Sequence, residues 1–182
     1  ELTAPNYAAR TLALGSNTDP YQPIERTYRI TRQVLEVLSE FNHPVGIVTK
    51  SALVLRDLDI LTSLAERGLV KVAISLTTLD GKLARAMEPR ASTPAKRLEA
   101  LRILSAAGVP TVVMMGPVIP AVNEMEIEAI LKSAAVAGVK PEQVRVHSQF
   151  IGGGFGRRLE NDFVGQAVAI AKALPGTPVQ LI

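Results

Sequence analysis

Short apolar runs rich in Val, Ile and Ala alternate along this chain with longer amphipathic stretches, and that alternation constrains the fold more than any other feature. Strand-sized apolar runs followed by helix-sized amphipathic ones form βαβ units, in which helices cross over between parallel strands. Strands are expected at 10–15, 45–50, 70–76, 111–118, 143–150 and 178–182, and helices at 25–41, 56–67, 81–87, 94–107, 123–137 and 162–174. In the first helix Ile30, Val34, Leu35 and Leu38 fall on one face, which leaves Arg29, Arg32 and Glu36 to solvent. Gly68, Gly108 and Gly138 each follow a helical stretch and are read as its left-handed stop. Asn123, ahead of Glu124 and Glu126, reads as a helix N-cap followed by acids that complement the dipole. The expected fold is α/β, a largely parallel sheet of about six strands with helical crossovers, too few to close an eight-stranded barrel and therefore an open or partial one.

The chain has 182 residues, enough for one well-buried domain, and the βαβ pattern runs through Gly138 without a linker, so residues 1–182 read as a single domain. An apolar fraction of 47% and a mean hydropathy of +0.22 exclude a solvated, disordered chain. Every apolar run is broken well short of the roughly 18 residues a membrane span needs. Glu1-Leu2-Thr3 has neither the basic nor the apolar region of a secretory leader, and the missing initiator Met points to processing or excision. The formal charge is +3, with Lys and Arg dispersed and aromatics at 4%, which is poor equipment for nucleic-acid binding; a small-molecule ligand fits better. There is no cysteine, so disulfides, thiolate nucleophiles, Cys-based zinc sites and ordinary iron–sulfur ligation are all excluded from this chain. A reducing cytoplasm is the expected location.

The polar loop Gly15-Ser16-Asn17-Thr18-Asp19-Pro20-Tyr21-Gln22-Pro23-Ile24-Glu25 leaves the first strand at the edge where parallel α/β sheets bind ligands. Read locally, Asp19-Pro20 is a turn with Thr18 or Asp19 capping backbone. Lys50 ends the second strand and Ser75 lies in the third; read locally, they are a solvated lysine and a serine bonded to backbone. Glu88-Pro89-Arg90, with Pro94 and Arg97-Leu98 following, is a helix stop with an Arg–Glu pair. Met115–Pro120 is core followed by a rigid exit turn.

This loop together with Tyr28-Arg29-Ile30-Thr31-Arg32, Ile47-Val48-Thr49-Lys50-Ser51 and Ile74-Ser75-Leu76-Thr77-Thr78 resembles the radical S-adenosylmethionine (SAM) proteins of the spore-photoproduct-lyase or DNA-repair-photolyase-like group. The resemblance covers residues 1–137 and implies a partial TIM-like barrel, with Ser16, Asn17 and Asp19 holding the amino group of SAM. It also implies that Lys50 and Ser75 contact the methionyl carboxylate and that the Glu-Pro segment borders the site; the apolar wall of Met115–Pro120 offers a surface for an adenine ring. Relatives in that group cleave SAM to a 5′-deoxyadenosyl radical with a [4Fe–4S] cluster on a Cys-x3-Cys-x2-Cys loop, a loop expected before residue 1 and absent here.

From Val139 onward the sequence runs through His147-Ser148-Gln149-Phe150-Ile151-Gly152-Gly153-Gly154-Phe155-Gly156-Arg157-Arg158. Residues 139–182 resemble molybdenum-binding subunits of the xanthine dehydrogenase/aldehyde oxidase type. That resemblance implies that Gly154, Phe155 and Gly156 pass beside a molybdenum centre, with Gln149 near an oxo ligand. One such loop does not make the pocket of a molybdenum cofactor, so at most an anion site is expected, and the G-x-G-x-x-G dinucleotide spacing is not met. His147 has no second ligand nearby in sequence, and His43, before Pro44, reads as a solvated loop histidine. Two resemblances meeting at Gly138 point to a chimera. The reading is a radical SAM core segment, catalytically incomplete without cluster cysteines, with SAM binding weak or vestigial. The alternatives are a non-catalytic α/β scaffold and a molybdenum-hydroxylase fragment.

Overall fold

A computed structural model describes residues 2, 4, 6–119 and 121–139, all within Glu1–Val146, the first of two units into which the chain divides. Four strands, β1 (Leu12–Leu14), β2 (Val45–Thr49), β3 (Val70–Ser75) and β4 (Thr111–Met114), form a wholly parallel sheet in the order β1-β2-β3-β4. Sequential order with helical crossovers is the α/β architecture that the alternation predicts. The expected strands 143–150 and 178–182 and the helix 162–174 lie outside the described residues.

β3 is buried at every position except Lys71, as a central strand covered on both faces must be. Its Val72 and Ile74 pack in one core with Ile47, Leu61, Leu64, Leu101, Leu104 and Ile130. These residues come from the strands and from helices α3 (Leu58–Glu66), α5 (Pro94–Ala106) and α6 (Ile127–Val136). Helix α4 (Gly81–Met87) starts on Asp80, whose carboxylate accepts from Lys82 N and Leu83 N.

The helix expected over 25–41 is two helices, α1 (Glu25–Tyr28) and α2 (Ile30–Glu40). Arg29 sits between them at φ 52°, in the left-handed region, which stops the first. The Glu25 carboxylate then bonds Ile30 N at 3.0 Å and Thr31 N at 3.1 Å, so a side chain five residues upstream satisfies the new helix's free amides. The break rotates the buried face: Thr31, Leu35 and Leu38 are inside, while Ile30 is exposed. The helix expected at 56–67 is preceded by a 3-10 segment, Ala52–Asp57. His43 is not solvated: it is buried, receives the Tyr7 hydroxyl at Nε2 (2.6 Å), and has Nδ1 3.0 Å from the Pro44 carbonyl.

Candidate functional site

Because the strands are parallel, all of their exits share one edge, and the expected site residues follow or end those strands. Gly15 makes the first exit at φ +99°, and a Cβ there would fall 2.0 Å from the Val48 carbonyl oxygen. Only glycine lets the loop cross β2 so closely. Asp19 then fastens the loop to the neighbouring exit. Its Oδ1 accepts from Tyr21 N (2.8 Å) and Thr49 Oγ1 (2.7 Å), and its Oδ2 accepts from Lys50 N (2.8 Å). A carboxylate has about four lone-pair positions, so this network leaves Asp19 little capacity for a ligand. Ser16 and Asn17 are exposed, and among the described residues their side chains have no hydrogen-bond partner.

Lys50 and Ser75 meet through two residues that the local pattern does not pair with them. Lys50 Nζ lies 2.6 Å from Glu88 Oε1, and Arg97 Nη2 lies 2.5 Å from Glu88 Oε2. Arg97 is 2% exposed and donates its remaining bonds to the Ser75 carbonyl (2.9 Å) and the Ser92 carbonyl (2.7 Å). Thr77 Oγ1 donates to Glu88 Oε1 at 3.0 Å. Burial works to raise the Glu88 pKa, but the hydrogen bonds from Lys50 and Arg97 outweigh it and hold the carboxyl below its ordinary value. The Arg–Glu pair expected around Glu88-Pro89-Arg90 is therefore made by Arg97, and Arg90 stands exposed. Lys50 is neither freely solvated nor core: its side chain is 39% exposed, with one face to Glu88 and the rest open to a ligand carboxylate. Ser75 is buried and meets the network through its carbonyl.

Asn123 holds the N-cap position of a 3-10 segment, Glu124–Glu126, that leads into α6, but its side chain makes no cap bond. It is fully buried, accepts from Ile119 N at 2.6 Å, and donates to the Thr77 and Pro117 carbonyls at 2.9 and 3.0 Å. Glu126 completes the brace by accepting from Thr78 Oγ1 and Leu79 N, both at 2.6 Å. These bonds join the exits of β3 and β4 and fix the Met115 stretch, where Met115 packs on the core and Val118 is exposed.

Behind the first loop lies a cluster that sequence reasoning missed. Arg56 bonds the Asp57 carboxylate (2.8 Å) and the Glu25 carbonyl (2.6 Å), and stands over the Tyr21 ring at 5.8 Å. The Tyr21 hydroxyl is buried without a hydrogen-bond partner among the described residues, and desolvation, reinforced by the nearby Asp57 carboxylate, pushes its pKa well above the ordinary value. The only local signal was the strand-exit position of Tyr21. Gln149, Gly154, Phe155, Gly156 and His147 lie outside the described residues.

Among the described residues no group of three or more His, Cys, Asp or Glu could hold a metal, and the full sequence has no cysteine. The residues present therefore do not fit a [4Fe–4S] cluster. Residues 3–134 match the Radical SAM superfamily, well over half of the chain. The chain belongs to the radical SAM superfamily. SAM and a [4Fe–4S] cluster are the cofactors that this membership implies for the family, and the parallel sheet is consistent with a partial TIM-like fold. An uncharacterized protein of Mycobacterium tuberculosis is 36% identical over 140 residues, 76% of this chain and 41% of the relative. An uncharacterized protein of Acidianus two-tailed virus is 33% identical over 138 residues (73% and 44%), and one of Methanocaldococcus jannaschii is 30% identical over 113 residues (62% and 42%). The chain thus spans about two fifths of the length of these curated relatives. No solved structure matches it. The segment resembling molybdenum-binding subunits falls beyond the family match, and from Lys140 on it lies outside the described residues. No helix among the described residues is long and apolar enough to cross a membrane.

Proposed function

We propose that this chain is a SAM-binding core segment of a spore-photoproduct-lyase-like radical SAM protein, and that by itself it performs no radical chemistry. The observation that carries the reading is the single strand edge where Ser16, Asn17, Asp19, Lys50 and Ser75 emerge and where Asp19 bonds the backbone of Lys50. SAM presents an ammonium, a carboxylate and a sulfonium. Ser16 and Asn17 offer oxygen acceptors to the ammonium, and Lys50 offers a cation to the carboxylate. Asp19 serves by holding the loop in register with β2, and Arg97 with Glu88 by fixing where the Lys50 ammonium stands. SAM is a radical source only when an iron–sulfur cluster delivers an electron to it, and these 182 residues contain no thiolate to hold one. Thiolates from outside them would be needed.

The pocket is incomplete without the cluster, so SAM binding is expected to be weak. Reconstitution of the purified chain with iron and sulfide should give no stoichiometric cluster absorbance and no 5′-deoxyadenosine. A SAM-dependent product from the 182-residue chain alone would overturn the proposal.

A further inference from the structure

A cavity of about 410 Å³ opens between the first loop, the β2 exit and the turn leading into α5. Arg26, Arg90 and Lys96 line it, all three exposed, together with Ser51, Thr93 and one side of Tyr21. Among the described residues no carboxylate lines this cavity, and none of the three cations makes an ion pair. By contrast Arg32, Arg56 and Arg102 each have an acid within bonding distance. Three unneutralised cations in one concavity repel each other, and an anion relieves that repulsion.

We infer that this groove binds a small, multiply charged phosphate compound, with Arg26, Arg90 and Lys96 as its cationic contacts. Guanidinium groups match phosphate oxygens in paired, planar geometry, and Lys adds a point charge. The groove also meets the start of the thirteen-residue helix α5, whose N-terminal dipole favours the same sign of ligand. SAM is disfavoured as the occupant, because its ammonium and sulfonium outnumber its single carboxylate and leave it net positive beside three cations. Single-stranded nucleic acid is disfavoured because binding it calls for exposed rings to stack on its bases, and the Tyr21 ring is 1% exposed. The volume suits one small ligand. The groove adjoins the Lys50–Glu88 edge, since Ser92 lines it and also accepts from Arg97, but none of its three cations belongs to that network, so a test on those cations reads the groove and not SAM binding.

Titration calorimetry with inorganic pyrophosphate tests the assignment. The probe should bind the full chain saturably, and R26Q/R90Q/K96Q should weaken it by about tenfold or more. The charge-matched variant R10Q/K71Q/K82Q, which removes three exposed cations outside the groove, should stay within about twofold of the parent, the range expected of screened, distant charges. Thermal melting of both variants checks that they fold. Equal weakening in the two variants reduces the effect to net charge and overturns the proposal, as does absence of binding to the parent. Tighter, groove-dependent binding of a single-stranded oligonucleotide would also overturn it.

Discussion

Two charged regions lie side by side at the same end of this sheet and are built on opposite terms. At the β2–β3 edge every buried charge is answered: Glu88 takes Lys50 on one oxygen and Arg97 on the other, and Arg97 spends its other donors on two carbonyls. In the neighbouring groove Arg26, Arg90 and Lys96 face solvent with no acid among the described residues that line it. The difference follows from burial. A charge out of water must be paired where it stands, whereas an exposed one can wait for a ligand. Internal pairing therefore marks the scaffold of the proposed SAM edge, and unpaired charge marks the proposed anion groove.

The largest expected effects lie on the paired side. Gly15→Ala sets a Cβ against the Val48 carbonyl at a left-handed position and should cost about 3 kcal/mol or more in urea unfolding, the combined effect of backbone strain and a displaced loop. Glu88→Ala leaves Arg97 buried and unpaired and should cost about 3 kcal/mol. If it proves as mild as a surface change, the edge is not the tightly determined region described here.

The same pair makes a pH prediction. Because the folded pKa of Glu88 lies below its ordinary 4.5, its contribution to stability is complete above about that pH and is lost as pH falls through the depressed folded value. In Glu88→Gln that part of the acid destabilisation should vanish. On the unpaired side, Arg90→Gln should change stability by less than about 0.5 kcal/mol, since Arg90 is exposed and makes no ion pair among the described residues. A larger loss would place Arg90 among the scaffold residues and remove the contrast.

Much of the sheet is legible in the sequence because β-branched runs bounded by turn residues leave few alternatives, and β2 and β3 fall within a residue of expectation. The helix over 81–87 follows the pattern as well. The sequence misleads where a distant partner overrides a local preference. Nothing in the period of residues 25–41 announces that Glu25 will cap a second helix beyond a left-handed Arg29. Asn123 has the look of an N-cap, yet its amide is spent joining two strand exits. His43 sits beside a proline in a connecting turn, yet Tyr7, far away in sequence, buries it. In the candidate site, strand ends foretell that Asp19 and Lys50 share an edge. The Lys50–Glu88–Arg97 linkage is non-local and carries no periodic signal. The groove is invisible for the same reason, since its three cations are dispersed along the chain.

The proposed SAM edge lies in a chain that lacks the cysteines its family uses to hold a cluster, so SAM binding is the property to measure. A calorimetric titration of the purified chain with SAM, repeated on Ser16→Ala/Asn17→Ala, tests it most directly. These two side chains are exposed and bear no part of the internal network, so the variant should melt as the parent does. The parent should bind SAM one-to-one and saturably, in or above about the 0.1 mM range expected of an incomplete pocket, and the variant at least severalfold more weakly. Absence of binding to the parent, or equal binding to both proteins, would contradict the proposal.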